Sequence, residues 1–109
     1  MGMQTYSTNL FENRSTTGNG TWQNWPGGKG FICAVGTFGG TSVTLQMRGP
    51  DPSGTAVDVK LLDSTGTFVT VNISAAGGYV FELPDCQIRA VSTGGTPSGL
   101  YVQARRTLG

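Results

Sequence analysis

Histidine is absent from the 109 residues. That removes the usual general base near neutral pH and the commonest metal ligand. Charge is scarce too: seven Lys or Arg stand against six Asp or Glu, a net charge of +1. A protein that grips duplex nucleic acid carries a basic stripe to neutralise phosphates. Here only Arg105 and Arg106 are adjacent, so no nucleic-acid partner is expected. No apolar run approaches the ~20 residues of a membrane helix, and no membrane partner is expected either. The first residues show no basic region followed by an apolar stretch, so no secretory leader is expected. Cysteine occurs only at Cys33 and Cys86. They could pair if their strands met, but the expectation is two small buried hydrophobes, the usual state of free cysteine.

The acids are Glu12, Asp51, Asp58, Asp63, Glu82 and Asp85. Asp51, Asp63 and Asp85 fall in or beside turns, where an aspartate side chain bonds nearby backbone amides. Asp58 and Glu82 take outward strand positions, and no pair stands out for acid–base work. The D-x-[DN]-x-[DN]-G calcium loop is missing. Ser98, in "TPSGLY", has no imidazole to activate it. The chain is therefore expected to be no enzyme and to hold no metal or cofactor.

What is plentiful is glycine, 18 residues, set between short pieces of period-two sequence. The length fits one domain, burying roughly 60–70% of the extended chain's surface. "TWQNW" (21–25) stops at Pro26. "GFICAVGTF" (30–38) is almost continuously apolar, as for a strand covered on both faces. "TSVTLQMR" (41–48) alternates, with Val43, Leu45 and Met47 inward. The same device gives Val57, Val59 and Leu61 in 56–62, then Val69, Val71 and Ile73 in 67–74. It continues with Tyr79, Phe81 and Leu83 in 78–84, Cys86, Ile88 and Ala90 in 86–92, and Leu100, Val102 and Ala104 in 100–106. Turns fall at Gly39-Gly40, Pro50 to Gly54, Asp63 to Gly66, Ala76 to Gly78 and Gly94 to Gly99. Eight short antiparallel strands at this spacing predict an all-β fold, a single β-sandwich of jelly-roll or immunoglobulin-like type over residues 20–109. Residues 1–19 are polar and lack sustained periodicity. They read as an extended N-terminal arm that orders against a neighbour, with Leu10 and Phe11 as anchors.

The segment "GTFGGT" invites a phosphate-loop reading, but it joins strand to strand, without a lysine or a helix N-terminus to hold an anion. A two-residue hairpin at Gly39-Gly40 explains it better, since both central residues need positive φ. Trp22, Trp25, Phe68 and Tyr101 fall outside the inward set. Such aromatics can stack sugar rings or bases.

Five pieces of the sequence carry a resemblance. They are G-T-F-G-G (Gly36–Gly40), V-T-L-Q (Val43–Gln46), F-E-L-P (Phe81–Pro84), I-R-A (Ile88–Ala90) and T-P-S-G-L-Y (Thr96–Tyr101). Together they resemble small β-sandwich structural proteins encoded in tailed-bacteriophage genomes. The resemblance implies a virion protein, foremost a capsid decoration (cement) protein, a homotrimer on the capsid surface bound to the phage major capsid protein. The alternative it implies is a tail or head fibre or adaptor module that binds host-surface carbohydrate. Expected partner contacts are Tyr6, Leu10, Phe11, Trp22 and Trp25, with Arg105 and Arg106 as polar contacts.

Overall fold

The computed structural model describes residues 6–49, 54–62 and 65–106. The expected turns at Pro50 to Gly54 and Asp63 to Gly66 lie partly outside them, as does the start of the arm. The fold is all-β, with ten strands among the described residues rather than eight. The chain begins with β1 (Ser7–Arg14), β2 (Gly18–Asn19), the long β3 (Gln23–Thr37) and β4 (Ser42–Arg48). Short strands follow: β5 (Ala56–Asp58), β6 (Lys60–Leu62), β7 (Phe68–Thr70) and β8 (Asn72–Ile73). The 17-residue β9 (Gly77–Thr93) and β10 (Ser98–Arg106) complete it. One eight-stranded sheet runs β1-β10-β3-β9-β4-β5, with β2 beside β9 and β8 beside β4, while β6 and β7 form a separate hairpin. Every pairing is antiparallel.

Two strands form the spine. The segments 21–25 and 30–38, expected as separate strands, belong mostly to one strand, β3, and 78–84 and 86–92 join as β9. Proline did not end β3, because Pro26 sits where the ribbon turns a corner opposite Asp85. Gly27 and Gly28 there have φ of 91° and 104°, values that glycine takes without steric cost. Inward residues before the corner are Trp25 on β3 and Ile88 and Ala90 on β9; after it they are Ile32 and Ala34, and Phe81. Both strands thus change which alternate residues face inward, yet their mutual pairing continues without a slip from Trp25↔Cys86 to Gly30↔Phe81. The sheet folds over on itself at this corner, and its two arms enclose one core.

Trp25 fills the corner. Its ring packs 4.9 Å from that of Phe81 and edge-on to Tyr6 at 5.8 Å. A Cβ at Gly30 would lie 2.5 Å from the indole, so glycine makes the room that tryptophan occupies. Burying one such ring dominates a small core, because aromatic side chains remove ~150–250 Å² from water.

Residues 7–14, expected in the extended arm, form β1 and pair with β10 of the same chain. A bulge between Asn9 and Phe11 breaks the alternation, so the adjacent Leu10 and Phe11 are both buried. At Gly39-Gly40 the positive φ values (58° and 85°) and a Thr41 N–H to Phe38 C=O bond of 2.9 Å confirm a tight turn. It is no hairpin, however: β3 and β4 are not neighbours, and the turn carries the chain from one arm to the other. It packs against the Gly94-Gly95 turn so closely that a Cβ on Gly95 would meet the Gly39 carbonyl at 2.4 Å. The Thr41 hydroxyl donates to Gly94 O at 2.7 Å across that contact.

Three residues assigned inward are exposed: Val57, Val69 and Tyr79. Val57 and Val69 lie on β5 and β7; the core is reached instead by Val59 and Val71, in the single-residue breaks between β5 and β6 and between β7 and β8. Backbone bonds from Val59 N–H to Leu45 O and from Val71 N–H to Val59 O tie these two down. Tyr79 lies at the sheet's end and donates its hydroxyl to Asn72 O at 3.0 Å.

Candidate functional site

The seven expected contact residues separate into different roles. Leu10, Phe11 and Trp25 are buried in the chain's own core, with Phe11 also at the floor of a surface depression beside Val35 and Tyr101. Tyr6 closes the end of that core: its ring meets Trp25, its hydroxyl donates to Asn24 O, and its carbonyl accepts from Arg106 N–H at 2.7 Å. Arg105 and Arg106 are exposed, with Arg105 paired to Phe31 and Arg106 to Gly30. Trp22 is half-buried on the other arm. The structure brings Tyr6, Trp25 and Arg106 together and leaves Trp22 apart from them.

What the sequence reading missed is a surface. On the β10-β3-β9 arm, the outward residues are Phe31 (37% exposed), Cys33, Val35 (46%), Tyr101 (50%) and Val80 (54%). The pairings Val35↔Tyr101, Cys33↔Gln103 and Phe31↔Val80 place them side by side. A shallow depression of about 220 Å³ opens among Asn9, Cys33, Val35, Tyr101 and Gln103. Phe31 lies flat over Gly78, where a Cβ would come within 2.6 Å of its ring. The signal is present in "GFICAVGTF": the apolar run predicts a strand covered on both faces, and only one face is covered.

The other arm's outer face is polar and ordered. Gln46 of β4 lies opposite Arg89 of β9, and Arg48 lies opposite Gln87. Arg89 Nε donates to Gln46 Oε1 at 3.0 Å, and Gln46 Nε2 donates onward to Asp58 Oδ1 at 2.9 Å. In the parallel row, Arg48 Nε donates to Gln87 Oε1 at 2.6 Å, and Gln87 Nε2 to Asn24 Oδ1 at 3.3 Å. Both guanidinium groups lie over the Trp22 ring, 4.6 and 4.4 Å from its centroid. The indole is thereby covered and offers no free platform for stacking a sugar or a base. Beside this lattice a depression of about 240 Å³ is lined by Asn24, Arg48, Asp85 and Cys86.

The two thiols are free and half-buried, one on each arm. Burial first, and the neighbouring Asp85 carboxylate second, push the Cys86 thiol above its ordinary value. Among the described residues no three acids or cysteines gather where they could hold a metal ion.

The chain matches no protein-family model and shows no significant match to a curated protein. Among solved structures it is similar to the crystal structure of the SPBc2 prophage-derived protein YomS, with a TM-score of 0.72 at 9% identity. That match covers 94% of this chain and 91% of the other, so the two share a fold. Weaker similarity extends to disulfide-linked pili of Bacillus endospore appendages (TM-score 0.44, 16% identity, 97% of this chain and 87% of that one). A chain of the infectious bursal disease virus Gx strain gives a TM-score of 0.41 at 10% identity, covering 94% of this chain and 31% of that one. Neither of these two carries an argument about topology or role.

Proposed function

We propose that this chain is a structural protein of a tailed-bacteriophage virion. In that particle it acts as a capsid decoration (cement) protein, seated as a homotrimer on the shell of the major capsid protein. The fold shared with a prophage-derived protein supports the phage setting. The observation that carries the docking role is the apolar outer face around Phe31, Val35, Tyr101 and Val80. The core is already complete beneath it, so this face contributes to nothing inside the chain. Interface centres are depleted of charge and enriched in aromatics, and this face meets both conditions.

Cementing needs no catalysis. A protein that binds the assembled shell and not its separated subunits lowers the energy of the assembled state by mass action. The contact set accordingly moves from the buried Leu10, Phe11 and Trp25 to the β3–β10 face, bordered by Arg105.

The test is to add purified protein to capsids that lack it and to count bound copies by mass. Hundreds per particle, with raised resistance to heat, are the expected result. A dozen or fewer would instead assign the chain to a tail, fibre or adaptor role, in which exposed aromatics such as Tyr101 would contact host carbohydrate.

A further inference from the structure

The lattice around Trp22 has a property that the apolar face lacks. Each guanidinium gives its Nε to a glutamine, and each glutamine is itself fixed by Asp58 or Asn24. Neither has a carboxylate within ion-pair distance among the described residues. Among the described residues, Asp58 accepts from Gln46, and Asp85 lines the adjoining depression. Two cations are thus held together on one indole, and among the described residues their Nη ends have no carboxylate partner. Arginine offers five N–H donors in a planar fork, and with Nε engaged the end-on Nη pair remains to meet a planar carboxylate.

We infer that the Trp22–Arg48–Arg89 lattice is a receptor for an acidic peptide segment of the partner protein, binding side-chain carboxylates end-on at the two guanidinium groups. Charge complementarity selects the occupant. The glutamine locks and the indole hold both forks in place beforehand, which reduces the side-chain ordering that binding would otherwise cost. Nucleic acid fits the surface less well, because it calls for a longer basic track and for exposed rings on which bases stack. The remaining cations, Arg14, Lys29, Lys60, Arg105 and Arg106, lie on other elements, and the Trp22 ring is covered. The inference rests on the reading of the chain as a docking protein, and it gives that partner an acidic patch.

The intact chain can be titrated with hexaglutamate at low salt while the two indole N–H resonances are followed. Trp22 should shift and saturate, whereas Trp25, fully buried at the corner, should stay still and serve as the internal reference. The double variant R48Q/R89Q should weaken binding by about tenfold or more. R48K/R89K, which keeps the charge but loses the fork, should fall between. An unchanged Trp25 resonance in each variant certifies that the fold is kept; if R48Q/R89Q fails that check, the single variant R89Q, which keeps the Trp22 reporter, takes its place and should still weaken binding, by a smaller factor. The inference is overturned if Trp22 does not respond to hexaglutamate, if R48Q/R89Q binds as well as the parent, or if oligo-dT binds more tightly than hexaglutamate. A low copy number on capsids together with intact hexaglutamate binding would sink the cement role and leave this receptor standing.

Discussion

The two outer faces of this sandwich are made largely by the same two strands, β3 and β9, yet they have opposite chemistry. Beyond the corner, β3 turns Phe31, Cys33 and Val35 to the outside. Before it, β3 and β9 contribute Asn24, Gln87 and Arg89 to a hydrogen-bonded lattice. The inner faces do not differ in this way: both arms give aliphatic side chains to one core. Stability is therefore common to the two arms, and recognition divides between them. An apolar face contributes area removed from water, while a fixed pair of guanidinium groups contributes direction and partner choice.

The comparison breaks most completely if the corner fails, because neither arm then has anything to fold against. Trp25→Ala should cost about 3–5 kcal/mol, read by chemical denaturation. Trp25→Phe should cost clearly less, since the buried Trp25 Nε1 hydrogen has no partner among the described residues. Gly30→Ala attacks the same place from the other side, forcing the indole to move, with an expected loss of about 1–3 kcal/mol. On the polar arm, Arg89→Ala removes one cation from the indole and should lower stability by about 0.5–1 kcal/mol. On the apolar arm, Val35→Lys should leave stability within about 0.5 kcal/mol, as surface changes usually do. Its effect should fall on copy number per capsid, which ought to drop sharply. Equal copy number with and without that lysine would remove the apolar face from the docking account.

The smallest expected effect concerns the thiols. Burial and Asp85 disfavour the Cys86 thiolate, so alkylation of Cys86 at pH 8 should be slower than that of a free cysteine model compound. Asp85→Asn should speed it modestly. The same displacement has a stability sign. The unfolded thiol ionises at lower pH than the folded one, so this contribution is intact below the ordinary thiol range and is lost as pH rises through it.

Much of the inward pattern was legible. Val43, Leu45, Phe81, Ile88, Ala90, Leu100, Val102 and Ala104 were assigned inward and are buried. Alternation with period two reports one face of a strand directly, whatever its partners are. Three things were not legible, each for a physical reason. The bulge at Leu10 places neighbouring residues on one side, and a period-two reading sees no strand there. Pro26 and Pro84 look like strand ends, since nothing local says that two strands bend at the same point. The Trp22 and Trp25 roles could not be assigned without knowing that Arg48 and Arg89 converge on the first ring and Gly30 yields to the second. Leu10, Phe11 and Trp25 read as partner contacts in the sequence and lie in the chain's own core, because an apolar residue in a polar segment looks the same whether its partner is another chain or its own.

The matched bend of β3 and β9 also constrains how such sequences can diverge. A residue inserted between Trp25 and Gly30 would reverse the inward face of everything after it on that strand alone. Only a compensating change between Phe81 and Cys86 would restore both arms. Length at these two places should therefore vary in concert among relatives, while side-chain identity drifts. Counting residues across the paired corners would then find kinship where 9% identity leaves nothing to align.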